Sequence, residues 1–177
     1  MDGATLPGGT LTAFLAMLLL RAAWHKAQAL PETTGLIASY GLVPEGREAL
    51  AARLVIALEV LLLLALVLPP GRSLGAAGTA ALLLGYAAAM AVALRRGQRR
   101  IDCGCGGPPQ VVSALTIGRN AVLALMALAV AALPAGATGV GGAALSVAGG
   151  LTLWCLYAIV EGLISNAGHI RLAADRL

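Results

Sequence analysis

The sequence predicts an all-α protein, a bundle of four to five transmembrane helices, and three observations carry that prediction. The 177 residues are 59% hydrophobic and only 11% charged, against about 25% charged for a typical soluble domain. Apolar stretches long enough to cross a bilayer recur along the chain, since a hydrocarbon core about 30 Å thick takes roughly 20 helical residues. Prolines punctuate these stretches: Pro31, Pro44, Pro69, Pro70, Pro108, Pro109 and Pro134 all fall between them, where a missing N–H does least harm in lipid. With a mean hydropathy of +0.89, residues 1–177 read as one integral membrane domain.

The spans follow in order. The first, about 9–28, is the weakest because Arg21, His25 and Lys26 crowd its end. Its apolar run followed by Ala27-Gln28-Ala29 has the look of a signal peptide, but a signal peptide carries its positive charge before the apolar run. Here the charge follows, so the segment reads as a retained helix whose His25-Lys26 end snorkels to the interface. The linker from Pro31 to Arg47 is too long for a tight turn and has room for a short interfacial helix around Leu36–Tyr40. Spans at about 48–68, 74–95, 113–133 and 143–165 cross easily. The third of the five carries Ala77, Ala81, Gly85, Ala89 and Ala93 at four-residue spacing. Such a row forms a smooth seam where another backbone can approach, read first as packing within the bundle and second as a dimer contact.

Charge gives an orientation. In a five-span arrangement Arg21, Lys26, Arg47, Arg53, Arg95, Arg96, Arg99, Arg100, Arg119, Arg171 and Arg176 share one side. Arg72 alone takes the other, and these account for all 12 basic residues. Positive residues are retained on the cytoplasmic face, which puts the N-terminus outside and the C-terminus inside. The formal net charge of +4 therefore reflects topology. Aromatic content of 3% leaves little for base stacking, and no nucleic-acid partner is expected.

Three cysteines make no disulfide framework, but two of them lie together in Ile101-Asp102-Cys103-Gly104-Cys105-Gly106-Gly107-Pro108-Pro109. Thiols at i and i+2 meet only if the backbone turns sharply, which Gly104 and Gly106 permit. A disulfide across one intervening residue closes a small, strained ring of the labile, oxidising kind. Arg99 and Arg100 favour the thiolate, and Asp102 opposes them. The pair reads as a redox dithiol, against a metal site short of further soft ligands or two incidental thiols. Cys155, beside Trp154 in the last span, reads either as a small buried hydrophobe or as a third redox thiol.

Glu59 stands near the middle of the second span, where a carboxylate costs roughly 2.5–3.5 kcal/mol on insertion scales. It should face the interior and be paired or protonated. Arg119 with Asn120, opening the fourth span, is the candidate partner. Together Glu59, Arg119 and Asn120 suit proton handling or contact with a quinone, or else a purely structural tie. Glu161 lies nearer a helix end and reads as an interfacial residue.

Set in sequence, Arg21-Ala22-Ala23-Trp24-His25-Lys26, Tyr40-Gly41-Leu42-Val43-Pro44, Glu59, Asp102-Cys103-Gly104-Cys105-Gly106 and Arg119-Asn120 resemble the methylamine utilisation MauE family, of the MauE/DoxX group of redox-associated membrane proteins. The resemblance runs from the first span to the fourth. It implies an inner-membrane helical bundle loosely comparable with the disulfide-forming vitamin K epoxide reductase type. It also implies a role in processing, export or maturation of the disulfide-rich small subunit of periplasmic methylamine dehydrogenase, beside a thioredoxin-like companion, MauD. The family turn commonly continues Cys-Gly-Cys-Phe-Gly, whereas this chain has Gly106 in place of the aromatic. With one pair and a single further thiol, a partner must supply the second pair of any complete relay.

The leading expectation is thus a thiol–disulfide redox membrane protein acting through Cys103 and Cys105, exchanging electrons with a thioredoxin-like partner and with a quinone as candidate cofactor. The alternatives are a non-catalytic assembly or export factor, and a metal-handling membrane protein.

Overall fold

The computed structural model describes residues 5–98, 112–133 and 139–174, with side chains described for all of these except 5, 69 and 167–174. Among the described residues every regular element is helical: α1 Thr5–Gln28, α2 Leu30–Tyr40, α3 Glu48–Val67, α4 Arg72–Arg95, α5 Ala114–Ala132 and α6 Val140–Ala174, with a 3₁₀ turn at Pro69–Gly71. Five of them, all but α2, are long and apolar enough to cross a membrane. Their boundaries fall within a few residues of the sequence expectation, save that α6 continues well past 165.

The breaks have local causes. Ala29 leaves helical geometry for one residue, and Pro31 is accommodated in the first turn of α2, where its missing N–H has no helical acceptor anyway. The interfacial helix is therefore longer than the expected Leu36–Tyr40. Gly41, at φ +59°, caps α2 in the left-handed region, which glycine enters without a Cβ penalty. Leu68 turns extended ahead of Pro69, as a residue before proline must. Ser113 opens α5 with a reciprocal capping box: its Oγ accepts from the Thr116 N–H at 3.3 Å, and its own N–H donates to Thr116 Oγ1 at 2.9 Å.

The helices alternate direction. α4 packs most extensively on α5 and α1 on α6, with α3 between α1 and α4 and α2 lying on α3. Phe14, Leu15, Leu18 and Leu19 of α1 meet Leu66 of α3, Ala76, Ala80 and Leu83 of α4, and Leu123, Ala124, Ala127 and Val130 of α5 in one core. Lipid tails are as apolar as leucine, so what holds these helices is close packing and polar contact. Close packing is clearest at two glycines. A Cβ on Gly75 would stand 2.5 Å from the Leu66 backbone nitrogen, and one on Gly150 would stand 3.0 Å from the Phe14 nitrogen. Leu58, Leu61 and Leu64 of α3, Leu125 of α5 and Ile159 and Leu163 of α6 are exposed, a surface suited to hydrocarbon.

The expected seam on α4 is corrected here. The buried face runs through Gly75, Ala76, Thr79, Ala80, Leu83, Ala87, Met90 and Ala93, while Ala77, Ala81 and Gly85 face outward. Small residues line both sides of α4, so four-residue spacing could not select one; the approach of Gly75 to α3 does.

The two ends of the bundle differ. At one end Arg72 holds α4 to its neighbours, donating from Nε to Thr12 Oγ1 at 3.2 Å and from Nη1 to the Leu133 carbonyl at 3.0 Å. The C-terminal end of α1 and the N-terminal ends of α3 and α5 lie at the other, with Arg21, Lys26, Arg95 and Arg119. The one-sided distribution of basic residues along the chain is therefore one-sided in space for these helices.

Candidate functional site

Two carboxylates buried within spans organise the basic end of the bundle. Glu59, on α3 and 1% exposed, takes Lys26 Nζ of α1 at 2.7 Å and the Tyr86 hydroxyl of α4 at 2.7 Å, both on Oε1. Lys26 also stands over the Tyr86 ring, 5.4 Å from its centroid. Glu59 Oε2 is buried with no hydrogen-bond partner among the described residues. A carboxylate in this setting is tolerable because an ammonium and a phenol replace its water.

Glu161, on α6 and 2% exposed, is wired differently. Arg21 of α1 reaches its Oε2 at 2.8 Å, Arg119 of α5 reaches Oε1 at 3.2 Å, and the Tyr157 hydroxyl donates to Oε1 at 3.2 Å. Arg21 also covers the Trp154 ring at 5.8 Å, and Tyr157 meets Phe14 edge-on. Three helices are thus tied through one carboxylate.

A cavity of about 20 Å³ lies between the two clusters, with Lys26, Glu59, Tyr86, Arg119, Asn120 and Tyr157 in its wall. That is room for about one water molecule. Asn120 is buried and donates to the Thr116 carbonyl at 3.0 Å, one turn on from the capping box that starts α5. The arrangement can hold charge and pass protons within a dry bundle: three cations face two carboxylates, and two phenols sit in hydrogen-bond reach of them.

Each residue proposed from sequence can now be located. Glu59, Arg119 and Asn120 come together around the small cavity; Lys26 and Tyr86 are the groups that meet Glu59, and Arg119 reaches Glu161. Lys26 does not snorkel, being 5% exposed. Glu161, expected at the interface, lies near the end of the apolar part of α6 but faces the interior of the bundle, 2% exposed, where Arg21 and Arg119 meet it. Cys155 is a free thiol exposed on α6, not a buried hydrophobe. Cys103 and Cys105 lie outside the described residues. Sequence reasoning missed Tyr86, Tyr157 and Glu161. The one available signal was that a charged residue within a span needs a counter-charge, and Arg21 and Glu161 supply it for each other.

Comparison with known proteins bears on the same residues. The family model for methylamine utilisation protein MauE matches residues 5–133, which takes in α1 to α5 and stops short of α6 and Glu161. A protein named Methylamine utilization protein MauE from Paracoccus denitrificans is 38% identical over 128 residues, covering 71% of this chain and 69% of its own length. One of the same name from Methylophilus methylotrophus is 37% identical over 130 residues, covering 72% and 68%. A third, from Methylorubrum extorquens, is 35% identical over 168 residues and covers 91% of this chain and 90% of itself, so that similarity extends into α6. No solved structure matches. With a family match across most of the chain, five membrane-length helices and relatives of one name, this chain belongs to the MauE family of membrane proteins of methylamine utilisation.

Proposed function

We propose that the protein is a thiol–disulfide redox component of the inner membrane that helps mature a periplasmic enzyme, with Cys103 and Cys105 as the exchanging pair. By family the client is the small subunit of methylamine dehydrogenase, and the companion is a thioredoxin-like protein of the MauD kind. The observation that carries the reading is the charge network on the helices either side of the Cys-Gly-Cys turn. Arg119 and Asn120 on α5 stand about 9 Å along the helix from the Ser113 cap at 1.5 Å per residue, and Tyr86 lies about 14 Å back from the end of α4. Thiol–disulfide exchange proceeds through thiolates, and Arg95 and Arg96 at the end of α4, with Arg99 and Arg100 next in sequence, supply the positive charge that favours that form.

In exchange, the thiolate of one cysteine attacks a partner disulfide, forms a mixed disulfide and releases the partner's thiolate; the second cysteine then resolves it. Single Cys103→Ser and Cys105→Ser chains should accumulate the mixed disulfide with the thioredoxin-like partner, visible on non-reducing gels of whole cells. Both should also fail to support active methylamine dehydrogenase. Normal enzyme maturation in both single variants and in the double variant would remove the dithiol and leave a non-catalytic assembly role.

The basic end of the bundle is assigned to the cytoplasm, on the retention of positive charge there, with the N-terminus in the periplasm. Labelling Cys103 and Cys105 with a membrane-impermeant maleimide in a Cys155→Ser background tests on which side the pair is reached. Modification in intact cells makes this a periplasmic oxidant; modification in inverted vesicles alone makes it an outward conduit for reducing equivalents.

A further inference from the structure

A second cavity, about 200 Å³, lies between α2, α3 and α4. Leu36 and Ile37 of α2, Ala51 and Val55 of α3 and Ala89 of α4 give it aliphatic walls. Lys26 and Tyr86 line it as well as the small cavity, so they form the partition between the two, with Glu59 bonded to both. Arg96 Nη1 reaches the Tyr40 and Gly41 carbonyls at 3.3 and 3.4 Å, tying the end of α4 to the end of α2 beside this chamber.

We propose that this chamber binds the ring of a lipid-dissolved quinone, with a ring carbonyl directed at the Lys26 ammonium beside Tyr86. Size comes first: an apolar cavity of about 150 Å³ already takes benzene, so this one holds a substituted six-membered ring. The cavity bounded by Glu59, Arg119 and Asn120, where the sequence suggested a quinone contact, is a tenth of that volume and has no room for one. Polarity comes second. The walls want an apolar body, and the partition wants an acceptor, because an ammonium has three donors and Glu59 Oε1 takes one of them.

The choice of a redox ring rests on the dithiol reading; the chamber itself does not. In that reading Cys103 and Cys105 lose two electrons and two protons as the S–S bond forms, and the quinone takes up both electrons and two protons to become the quinol. Lys26, 2.7 Å from Glu59 Oε1, is placed to hand a proton to the ring oxygen and to be reprotonated from the two that the thiols release, while Tyr86, whose one hydroxyl proton goes to the same oxygen, holds the carboxylate in place. An acyl ester of a phospholipid offers the same chemistry, an apolar body with a carbonyl, and the test separates the two.

The full chain is placed in phospholipid nanodiscs and titrated with decylubiquinone, with empty nanodiscs as the blank. Saturable binding of one quinone per chain is expected despite the large excess of lipid. Ala51→Phe and Ala89→Phe, which fill the chamber, should each weaken binding about tenfold or more, or about 1.4 kcal/mol. Leu58→Phe on the outer side of α3 should leave it unchanged. Thermal unfolding of each variant identifies any that fails to fold, and the other filling variant then decides. Absence of saturable binding above the blank, the result expected if lipid occupies the chamber, overturns the proposal. So does parental affinity in a folded filling variant. The Cys103→Ser/Cys105→Ser chain should bind decylubiquinone as the parent does. Binding therefore tests the chamber, while client maturation tests the dithiol.

Discussion

Glu59 and Glu161 are both carboxylates buried in membrane-length helices of one bundle, yet their surroundings assign them opposite duties. Glu161 is held by two guanidiniums and a phenol. Arginine does not surrender its proton in a protein, so these contacts serve to join α1, α5 and α6. Glu59 faces one ammonium and one phenol, with an oxygen left over. Lysine and tyrosine can both exchange a proton with it. The difference teaches that charge count in a bundle is not function; which cation is used decides whether a site is a rivet or a relay.

The contrast can be broken by substitution. Glu161→Gln should cause the largest loss, about 3–5 kcal/mol, because it strips the counter-charge from the buried Arg119 guanidinium as well as from the partly exposed Arg21. Unfolding in mixed micelles measures it, and a loss no greater than that of the matching Glu59 change would abolish the distinction. Lys26→Met comes next at about 3 kcal/mol, since it strands the Glu59 charge. Pairing it with Glu59→Leu should bring stability back to within about 1 kcal/mol of the parent, as replacing both members of a buried pair often does. Glu59→Gln should be milder, about 1–2 kcal/mol, because the amide carbonyl still accepts from Tyr86 and Lys26 and a buried lysine, unlike an arginine, can give up its proton once its counter-charge is gone. If Glu59 serves as the relay, that variant should nonetheless impair enzyme maturation more than its stability loss explains. Smallest of all, Cys155→Ser on the outward face of α6 should change stability by no more than about 0.5 kcal/mol and leave maturation intact. A maturation defect there would make the third thiol a participant.

Much of the architecture was legible beforehand because lipid gives the backbone so few options. A segment that crosses hydrocarbon must satisfy its own N–H and C=O groups, so twenty apolar residues between prolines can only be a helix, and charge asymmetry orders the ends. The inward aim of Glu59 followed from the same cost. Partners were less legible. Glu161 sits near the end of its apolar run, and nothing in that run says which face of α6 turns to α1, where Arg21 and Arg119 meet it. Lys26 ends the first span as a snorkelling residue would, but α2 folds back beside α3 and shuts it in. On α4 two equally small faces were available, and the backbone of α3 chose between them.

By itself, the sequence determined that the chain is a helical membrane bundle of the MauE type with its basic residues gathered at one end. Hydropathy and charge act locally, through the solvent each segment can tolerate. Only the tertiary structure decided which cation meets which carboxylate and where a ring-sized chamber opens. Those outcomes depend on how five helices rotate and slide against one another, and packing sets them between residues far apart in the chain.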